Sequence, residues 1–254
     1  MTVKYQAPTV KKAFSILNQI AAQKKGQRVS ELAYCLNISK STVHGILTAL
    51  DELGAVIRDP LTKRYSLGLT LFELGRAAYS RADLKDTARP FMEKLMITVG
   101  ESSFLGVKNG DHVTILDIVE SSQNLKITAP LGTAIPLLAG AIGKVMLAQM
   151  EPEDAAALIN GKALPHFTAN TITDSQQYLK EVASVKKDGY AIDNEEYIPG
   201  VKAIAAPLHS IDRMMAAIWV VGFKPGMDDR KIKFIATEIK RTAEAIRKKT
   251  DREM

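Results

Sequence analysis

The hydrophobic period of this chain changes near residue 102, and that change constrains the fold more than any other feature. Before it, apolar residues recur every three or four positions, as in amphipathic helices. After it, short apolar runs at 103–107, 112–119 and 125–129 are separated by turn-forming residues, as in antiparallel strands. Two successive periods predict two different parts rather than one all-helical or all-strand domain.

The second part continues with the same mixture. We expect helices at about 143–150, 152–159, 174–188 and 228–249, and strands at 190–193, 203–208 and 214–222. Helices grouped around runs of strands indicate an α+β domain with a mainly antiparallel sheet.

The first part contains two short helices with the spacing of a helix-turn-helix. The first of them begins at Ser30 as N-cap, and Asn37 supplies the left-handed backbone of the turn. Ser39 caps the next helix, and Gly54 ends it. The apolar face of that helix consists of Val43, Ile46, Leu47, Leu50 and Leu53. This arrangement leaves a hydroxyl-rich helix end exposed, as in a helix that enters the DNA major groove.

A short hairpin around Asp59-Pro60 follows and is interpreted as a wing. Hydroxyls, cations and helix N-terminal amides hold phosphates, and Ser, Thr and His also reach base edges. The residues that we expect to contact DNA are Arg28, Ser30, Ser39, Lys40, Ser41, Thr42, His44, Gly45, Thr48, Arg58, Lys63, Arg64 and Tyr65. The alternatives are a three-helix core with an incidentally basic face and a winged helix that binds proteins.

The positive charge of the chain lies in this first part. Residues 1–80 hold 11 Lys and Arg against 5 Asp and Glu, whereas residues 81–254 hold 23 of each. The net charge of +6 therefore favours a polyanionic partner for the N-terminal third only.

Several classes of protein are disfavoured. The single cysteine, Cys35, excludes an intramolecular disulfide and fits a reducing cytoplasm. We expect no membrane span and no signal peptide, because no apolar run of the required length or position is present. The segment around Gly140 and Gly143 lacks the spacing and the Ser or Thr of a phosphate-binding P-loop. We expect no cofactor.

Catalysis and metal binding are also disfavoured. Asp193, Glu195 and Glu196 form an acidic cluster that could serve acid–base chemistry or hold a metal. His166 and His209 stand far from it in sequence, and Ser102-Ser103 lacks a nucleophile elbow. An enzyme with a fused winged helix is therefore the weaker alternative, and we expect neither a catalytic residue nor a metal site.

Three segments together resemble the IclR family of bacterial transcriptional regulators. SKSTVHGILTALDELGAV resembles the recognition helix of that family, GTAIPLLAGAIGKVMLA its effector-pocket loop and helix, and GYAIDNEEYIPGVKAIAAPL its signature segment. The resemblance covers nearly the whole chain in the family's order. It implies a winged helix-turn-helix at residues 1–75, a linker helix at 76–90 and a GAF-like effector-binding domain at 91–254. It also implies a cytoplasmic homodimer or dimer of dimers that binds palindromic operators.

Departures from the family pattern concern both DNA binding and effector binding. The family usually has a basic residue after the helix histidine, where this chain has Gly45. In members that bind small keto acids, one Cys and two Ser stand at the positions that match Ala203, Trp219 and Val221. Trp219 and Val221 are two residues apart on one strand and so share a face. A pocket built for a keto acid would lose its polar partners here.

These departures predict an apolar pocket. We expect an aromatic or branched carboxylic acid as effector, with Trp219 stacked on it or setting the depth of the pocket. The resemblance places Asp193 at the rim of the pocket. The full predicted lining is Ile127, Leu131, Ile135, Gly140, Ala141, Ile142, Asp193, Ala203, Trp219 and Val221. The alternative is that Trp219 fills the pocket and that no effector binds.

The sequence also contains apolar surface suited to a second subunit. The runs AAIWVVGF and LKITAPL are apolar on both faces, whereas an antiparallel strand in a monomer usually exposes one face to water. A helix is predicted near 69–89 as the N-terminal dimer element, and we expect its apolar residues to serve the core or a partner, namely Leu69, Leu71, Phe72, Leu74 and Ala78. A dimer would place two winged helices on operator half-sites spaced about 10–10.5 bp or multiples of that apart.

Overall fold

The computed structural model describes residues 7–23, 25–79, 84–161, 163–211 and 214–253. Contacts divide the chain into two compact units, Met1–Arg81 and Ala82–Met254, which are described separately. The first unit is helical with a small hairpin, and the second is an antiparallel sheet flanked by helices. The α+β class predicted from the two hydrophobic periods is confirmed.

The first unit is a helix-turn-helix followed by a two-stranded hairpin. Its elements are α1 (Pro8–Ala21), α2 (Val29–Leu36), α3 (Lys40–Glu52), β1 (Val56–Arg58), β2 (Tyr65–Leu67) and α4 (Leu69–Tyr79). Ile16, Leu32, Val43 and Leu47 are fully buried where the first three helices meet. The apolar spacing in the sequence therefore forms one small core.

Local capping groups end the helices of this unit. Asn37 adopts the left-handed conformation (φ 52°) between α2 and α3, as predicted. The Ser39 hydroxyl accepts a hydrogen bond from the Thr42 N–H (3.2 Å), which caps α3 as predicted. Gly54 has φ 69° just beyond α3, where a residue with a Cβ would be strained.

Two expectations for these helices are wrong. Ser30 is not an N-cap, because α2 begins one residue earlier, at Val29, and the Glu31 carboxylate accepts the N–H of the capping residue Arg28 (2.9 Å). Leu53 is not on the buried face of α3, because the helix ends at Glu52 and the Leu53 side chain is 69% exposed.

The second unit contains a six-stranded antiparallel sheet in the order β5-β4-β3-β8-β7-β6. Its elements are α5 (Leu84–Val99), β3 (Ser102–Asn109), β4 (His112–Val119), β5 (Ala134–Pro136), α6 (Gly140–Ala148), α7 (Pro152–Asn160), α8 (Ser175–Asp188), β6 (Ala191–Asn194), β7 (Val201–Ile211), β8 (Met214–Phe223) and α9 (Asp229–Glu253).

Helices cover both faces of this sheet. Ile218 and Val220 of β8 belong to the core shared with α5 and α9, whereas Ala217, Trp219 and Val221 belong to the core shared with α6, α7 and α8. Strand β8 is apolar on both faces because each face meets helices of the same unit. The run AAIWVVGF therefore needs no second subunit to bury it.

Residues 125–129 do not form the predicted strand. Residues 132–136 occupy the edge of β4 instead, through Gly132 N–H to the Ile115 carbonyl and through the β5 ladder. Pro130 has no N–H to donate to a ladder, which disfavours a strand through LKITAPL.

Pro90 neither breaks nor ends a helix, because it lies inside α5. Burial of Leu84, Ala88 and Met92 on one side of α5 holds the helix despite the hydrogen bond that proline removes. Part of the predicted linker helix, residues 80–83, lies outside the described residues. Among the described helices, none is both long and apolar enough to cross a membrane.

Candidate functional site

One face of α3 is free of packing contacts and carries polar groups. Ser41, His44, Gly45 and Thr48 are exposed, and their spacing of three, four and seven positions places them on one side of the helix. Lys40 is exposed in the first turn. Since Val43, Ile46 and Leu47 bury the opposite side, α3 is anchored by its apolar stripe and presents its polar stripe to solvent.

Part of the hydroxyl cluster at the start of α3 is engaged within the helix. The Ser39 oxygen lies 2.8 Å from the Thr42 hydroxyl and 3.1 Å from the Ser41 hydroxyl. Thr42 is only half-exposed, and Thr48 donates its hydroxyl to the His44 carbonyl (3.0 Å). Lys40 and His44 are therefore the exposed residues of this surface whose side chains are not engaged in this cluster.

The hairpin between β1 and β2 has a turn held by one carboxylate. Asp59 Oδ1 accepts the N–H groups of Leu61 (2.8 Å) and Thr62 (2.7 Å). These hydrogen bonds keep the pKa of the Asp59 carboxyl below its ordinary value. Arg58 and Lys63 are exposed on either side of this turn, so the hairpin presents two cations on a well-defined loop.

Two residues assigned to this surface from the sequence have internal roles. Tyr65 is 3% exposed and packs in the core of the unit, so its side chain is not available to DNA. The Arg64 guanidinium donates to both Glu31 oxygens (3.0 and 2.9 Å) and to the Gly26 carbonyl (2.8 Å). Its charge is therefore matched by Glu31, whose pKa is lowered by the Arg28 N–H and by Arg64.

Arg28 and Ser30 lie beside this pair and are exposed. Arg28 Nε donates to the Thr62 carbonyl (3.1 Å), which ties the start of α2 to the hairpin. These contacts join residues some 30 positions apart, and spacing along the sequence gives no signal for them.

The second unit encloses a cavity of about 200 Å³ between the sheet and α6. Most of the predicted pocket residues line it, namely Ile127, Ile135, Ala141, Ile142, Asp193, Ala203, Trp219 and Val221. Further lining residues that the sequence did not indicate are Phe104, Ile115, Thr128, Ala129, Thr133, Ala139, Tyr197, Ile198 and Val201. The walls are predominantly apolar, and space remains beside Trp219.

Phe104 is the most informative of the missed residues. It is the cross-strand partner of Trp219, and the two rings stack with centroids 5.4 Å apart and planes 11° from parallel. Such a pair contributes about 0.5–1.5 kcal/mol beyond burial. The stack holds the indole against the sheet, so Trp219 forms a wall and does not fill the cavity.

Two predicted lining residues do not line the cavity. Leu131 is 58% exposed, in a loop that carries Ile127 inward and Leu131 outward. Gly140 is absent from the lining, although its neighbours Ala139 and Ala141 belong to it. It has φ 46°, and a Cβ on it would lie 2.0 Å from Asp193 Oδ2. Gly140 thus allows Asp193 to approach the first turn of α6.

Asp193 is the carboxylate on the cavity wall. It is 5% exposed, and burial together with the neighbouring Glu196 charge raises its pKa to about 6, against the opposing effect of the Glu196 N–H and Lys144. Burial also raises the pKa of the Tyr197 phenol, the other ionisable group among the described lining residues. A cavity with an easily protonated acid and no lining cation in the described parts of the chain suits neutral or weakly acidic ligands.

The acidic cluster is divided between separate partners. Glu195 pairs with Lys224 (2.5 Å), whereas Glu196 pairs with Lys144 (2.6 Å). Within the described ranges, no group of three or more His, Cys, Asp or Glu is arranged to hold a metal ion. His166 is exposed, and the side chain of His209 is outside what the structure describes.

Two protein-family models match the chain. The model described as the IclR helix-turn-helix domain matches residues 9–60, and the bacterial transcriptional regulator IclR C-terminal model matches residues 76–248. The HTH-type transcriptional regulator BhcR of Paracoccus denitrificans is 35% identical over 222 residues, which cover 87% of this chain and 79% of that relative.

Solved structures show the same architecture. The crystal structure of Thermotoga maritima IclR is 30% identical, with a TM-score of 0.70, over 95% of this chain and 98% of that one. An IclR homologue from Microbacterium hydrocarbonoxydans, crystallised with 4-hydroxybenzoate, is 20% identical, with a TM-score of 0.79, over 96% and 99% of the two chains. At that identity the second similarity concerns the fold alone.

Proposed function

The chain belongs to the IclR family of DNA-binding transcriptional regulators, which are not enzymes, and on that basis we propose that a small, largely apolar carboxylic acid controls its binding to operator DNA. The acid occupies the cavity beside Trp219. In this proposal residues 1–75 bind DNA, residues 76–90 form a linker helix and residues 91–254 bind the effector. It acts in the cytoplasm, where bacterial DNA lies.

The composition of the cavity wall is the observation that carries the effector class. Phe104, Trp219 and Val221 offer aromatic and branched surfaces to a ligand. A volume of about 200 Å³ lies below the roughly 300–1,000 Å³ of pockets for drug-sized molecules, so it favours a small ligand. The 4-hydroxybenzoate in the Microbacterium homologue is an acid of this class in a protein of the same fold.

A bound acid also needs polar partners. Hydroxyls of Thr128, Thr133 and Tyr197 line the cavity, and α6 begins beside it. The first N–H groups of a helix have no partner within it and favour an anion. Because Asp193 lies at the same helix end, a ligand carboxylate binds best when Asp193 is protonated.

Trp219 provides the test of this assignment, since it is the single tryptophan of the chain. Benzoate, 4-hydroxybenzoate, phenylacetate and isovalerate are titrated against its emission and against the melting temperature, with pyruvate and glyoxylate as the polar comparison. We expect the apolar acids to change both signals and the keto acids to change neither. If all six acids leave both signals unchanged, the alternative of a regulator without an effector is favoured.

The DNA-binding part of the proposal rests on the exposed stripe of α3 and the hairpin cations. The α3 stripe reads base edges in the major groove, while Arg58 and Lys63 contact phosphates. A mobility shift with the upstream intergenic DNA is the test. The affinity should fall steeply as salt rises, because Lys and Arg side chains release counterions from the phosphates when the protein binds. An affinity that is flat between 50 and 200 mM salt would contradict these contacts.

We further propose that the protein is a homodimer or a dimer of dimers. The first unit leaves large apolar side chains exposed on α1 and α4, namely Val10, Phe14, Leu69, Phe72 and Leu74. Exposed apolar surface of this kind marks a subunit interface. Light scattering on the purified chain should give at least twice the monomer mass, and replacement of Phe14 and Phe72 by Ser should lower it.

Effector and DNA are coupled by linkage in this proposal. If the acid changes operator affinity by some factor, operator DNA must change the affinity for the acid by the same factor. Both release and recruitment of DNA by the effector satisfy this relation, so the protein can act as repressor or activator. A mobility shift with and without the acid decides between them.

A further inference from the structure

Lys144 is a lysine buried in the middle of α6, with 1% of its side chain exposed. Its ammonium donates to Glu196 Oε1 (2.6 Å), the Ile192 carbonyl (2.9 Å) and Glu181 Oε2 (3.3 Å). These three bonds use all three ammonium hydrogens. Lys144 contributes no surface to the cavity or to the DNA-binding face, and neither proposed activity accounts for it.

The partners of Lys144 connect it to the cavity wall through one residue. The N–H of Glu196 donates to Asp193 Oδ1 (2.5 Å), and its carbonyl accepts the Thr171 hydroxyl (2.6 Å). The next two residues, Tyr197 and Ile198, line the cavity. Lys144 therefore holds Glu196 by its side chain, and Glu196 holds both Asp193 and the start of this wall by its backbone.

Stability alone is a poor explanation for such a pair. Burying two charges costs several kcal/mol per ion, and an apolar pair of similar volume is often neutral or stabilising. A buried ion pair does fix geometry, because each charge must keep its partner. The place where this geometry matters is the wall segment, residues 195–198.

We propose that Lys144 is a positioning residue of the effector cavity, which holds Asp193 and the wall formed by Tyr197 and Ile198 through Glu196 in the arrangement that admits an acid. The identity of the ligand in this inference rests on the proposed function, whereas the contacts among Lys144, Glu196 and Asp193 do not. The groups that act on Asp193 are Lys144 from α6, Tyr178 from α8, and Glu196 and Tyr197 from the wall segment. Glu181 from α8 contacts Lys144.

The first experiment needs no ligand and follows Trp219 emission against pH. Asp193 and Trp219 line the same cavity, so we expect a transition near pH 6 that Asp193→Asn abolishes. Lys144→Met should move the midpoint up by about 1 pH unit, and Glu196→Gln should move it down, because each removes one opposite charge beside Asp193. A general loosening of the cavity would hydrate Asp193 and lower both midpoints, so shifts of opposite sign show that both charges are held beside Asp193. Unmoved midpoints would overturn the proposal.

Hydrogen exchange then tests the wall directly. In the neutral double variant Lys144→Met/Glu196→Met, amides of residues 195–198 should exchange at least 10-fold faster, while the strands of the sheet keep their protection. The control is Arg89→Met/Asp117→Asn, which removes an ion pair (2.9 Å) between the buried Asp117 and the partly exposed Arg89 on the α5 face of the same sheet. Equal exchange of residues 195–198 in both doubles and the wild type would refute the positioning role.

Ligand binding completes the set, with benzoate and 4-hydroxybenzoate as probes. Their affinity should fall at least 10-fold in the Lys144→Met/Glu196→Met variant and stay within about 2-fold of wild type in the Arg89→Met/Asp117→Asn control. Unchanged affinity in the first variant would overturn the proposal. If neither acid binds the wild type, the effector class is wrong, while the pH midpoints and the exchange rates still decide the role of Lys144.

Discussion

The two units of this protein place their candidate functional residues in opposite ways. In the first unit, the α3 stripe of Ser41, His44, Gly45 and Thr48 lies within eight consecutive positions and faces solvent. In the second unit, the cavity is assembled from separate strands, loops and a helix, between Phe104 and Val221. A surface for a large, charged partner requires one exposed helix, whereas a site for a small apolar ligand requires a closed shell.

The same contrast holds for charge. The first unit carries the basic excess of the chain, and its hairpin exposes Arg58 and Lys63, whereas Arg64 is neutralised by Glu31. The second unit is nearly charge-balanced and keeps one easily protonated carboxyl, Asp193, on an apolar wall. A polyanion is attracted by a broad field, while a small acid must be held by a few local groups. Substitutions in the second unit should therefore have the larger effects.

The largest effect is expected from filling the cavity. Ala203→Leu adds three carbons to the cavity wall and should weaken benzoate and 4-hydroxybenzoate binding by about 100-fold, with operator affinity unchanged. Ala206→Leu is the matched control, since Ala206 lies on the same strand but in the packed core of the other sheet face. It should instead lower the free energy of unfolding by about 1–3 kcal/mol. Similar effects of both substitutions would mean that the cavity does not bind these acids.

The next effect concerns the pH dependence of stability. Because the folded-state pKa of Asp193 is raised from 3.8 to about 6, its contribution to stability is complete below pH 4 and is lost as the pH rises through 6. Asp193→Asn has no charge to bury, so it should gain about 3 kcal/mol relative to wild type between pH 4 and pH 8. Urea unfolding at both pH values measures this difference. A pH-independent difference would show that Asp193 ionises normally.

A smaller effect is expected on the DNA-binding surface. His44→Ala removes one exposed side chain of the α3 stripe and should lower specific operator affinity by about 10-fold, with little change in melting temperature. Gln176→Ala, at an exposed position of α8, serves as the control and should leave the mobility shift unchanged. If His44→Ala also leaves it unchanged, the stripe does not face the operator.

The smallest effect comes from helix propensity. A Cβ at Gly45 meets no atom within 4 Å, so Gly45→Ala should raise the free energy of unfolding by roughly 1 kcal/mol. Gly54→Ala is the opposite case, since Gly54 has φ 69° and its Cβ would lie 2.6 Å from the Thr70 hydroxyl. Thermal unfolding should show a gain for the first and a loss for the second. A loss for Gly45→Ala would mean that this face of α3 is not open.

Sequence reasoning succeeded where a structure depends on neighbouring residues. Asn37 in the turn, Ser39 at the start of α3 and the helical spacing of Val43 and Leu47 are local signals, and the structure confirms them. The alternation on β8 likewise placed Trp219 and Val221 on one face, and both line the cavity. Each of these features follows from φ preferences or from a period of 3.6 or 2 residues.

Sequence reasoning failed where distant segments meet. Tyr65 is polar at its tip and stands beside two cations, yet packing in the core of the first unit buries it. Residues 125–129 have the composition of a strand, but the edge of β4 is occupied by residues 132–136. Phe104 joins the cavity only because β3 pairs with β8 in one register. Which segment occupies a sheet edge or a core position depends on the packing of the whole unit.

By itself, the sequence determined the α+β class, the helix-turn-helix and the confinement of positive charge to it, because hydrophobic period, turn residues and charge are written residue by residue. Only the tertiary structure decided which cations stay free, which side chains close the cavity and why Lys144 is buried. These outcomes depend on ion pairs and strand pairings between residues some 30 to 115 positions apart. At that distance, the pairing is set by the packing of the whole unit, and no local pattern specifies it.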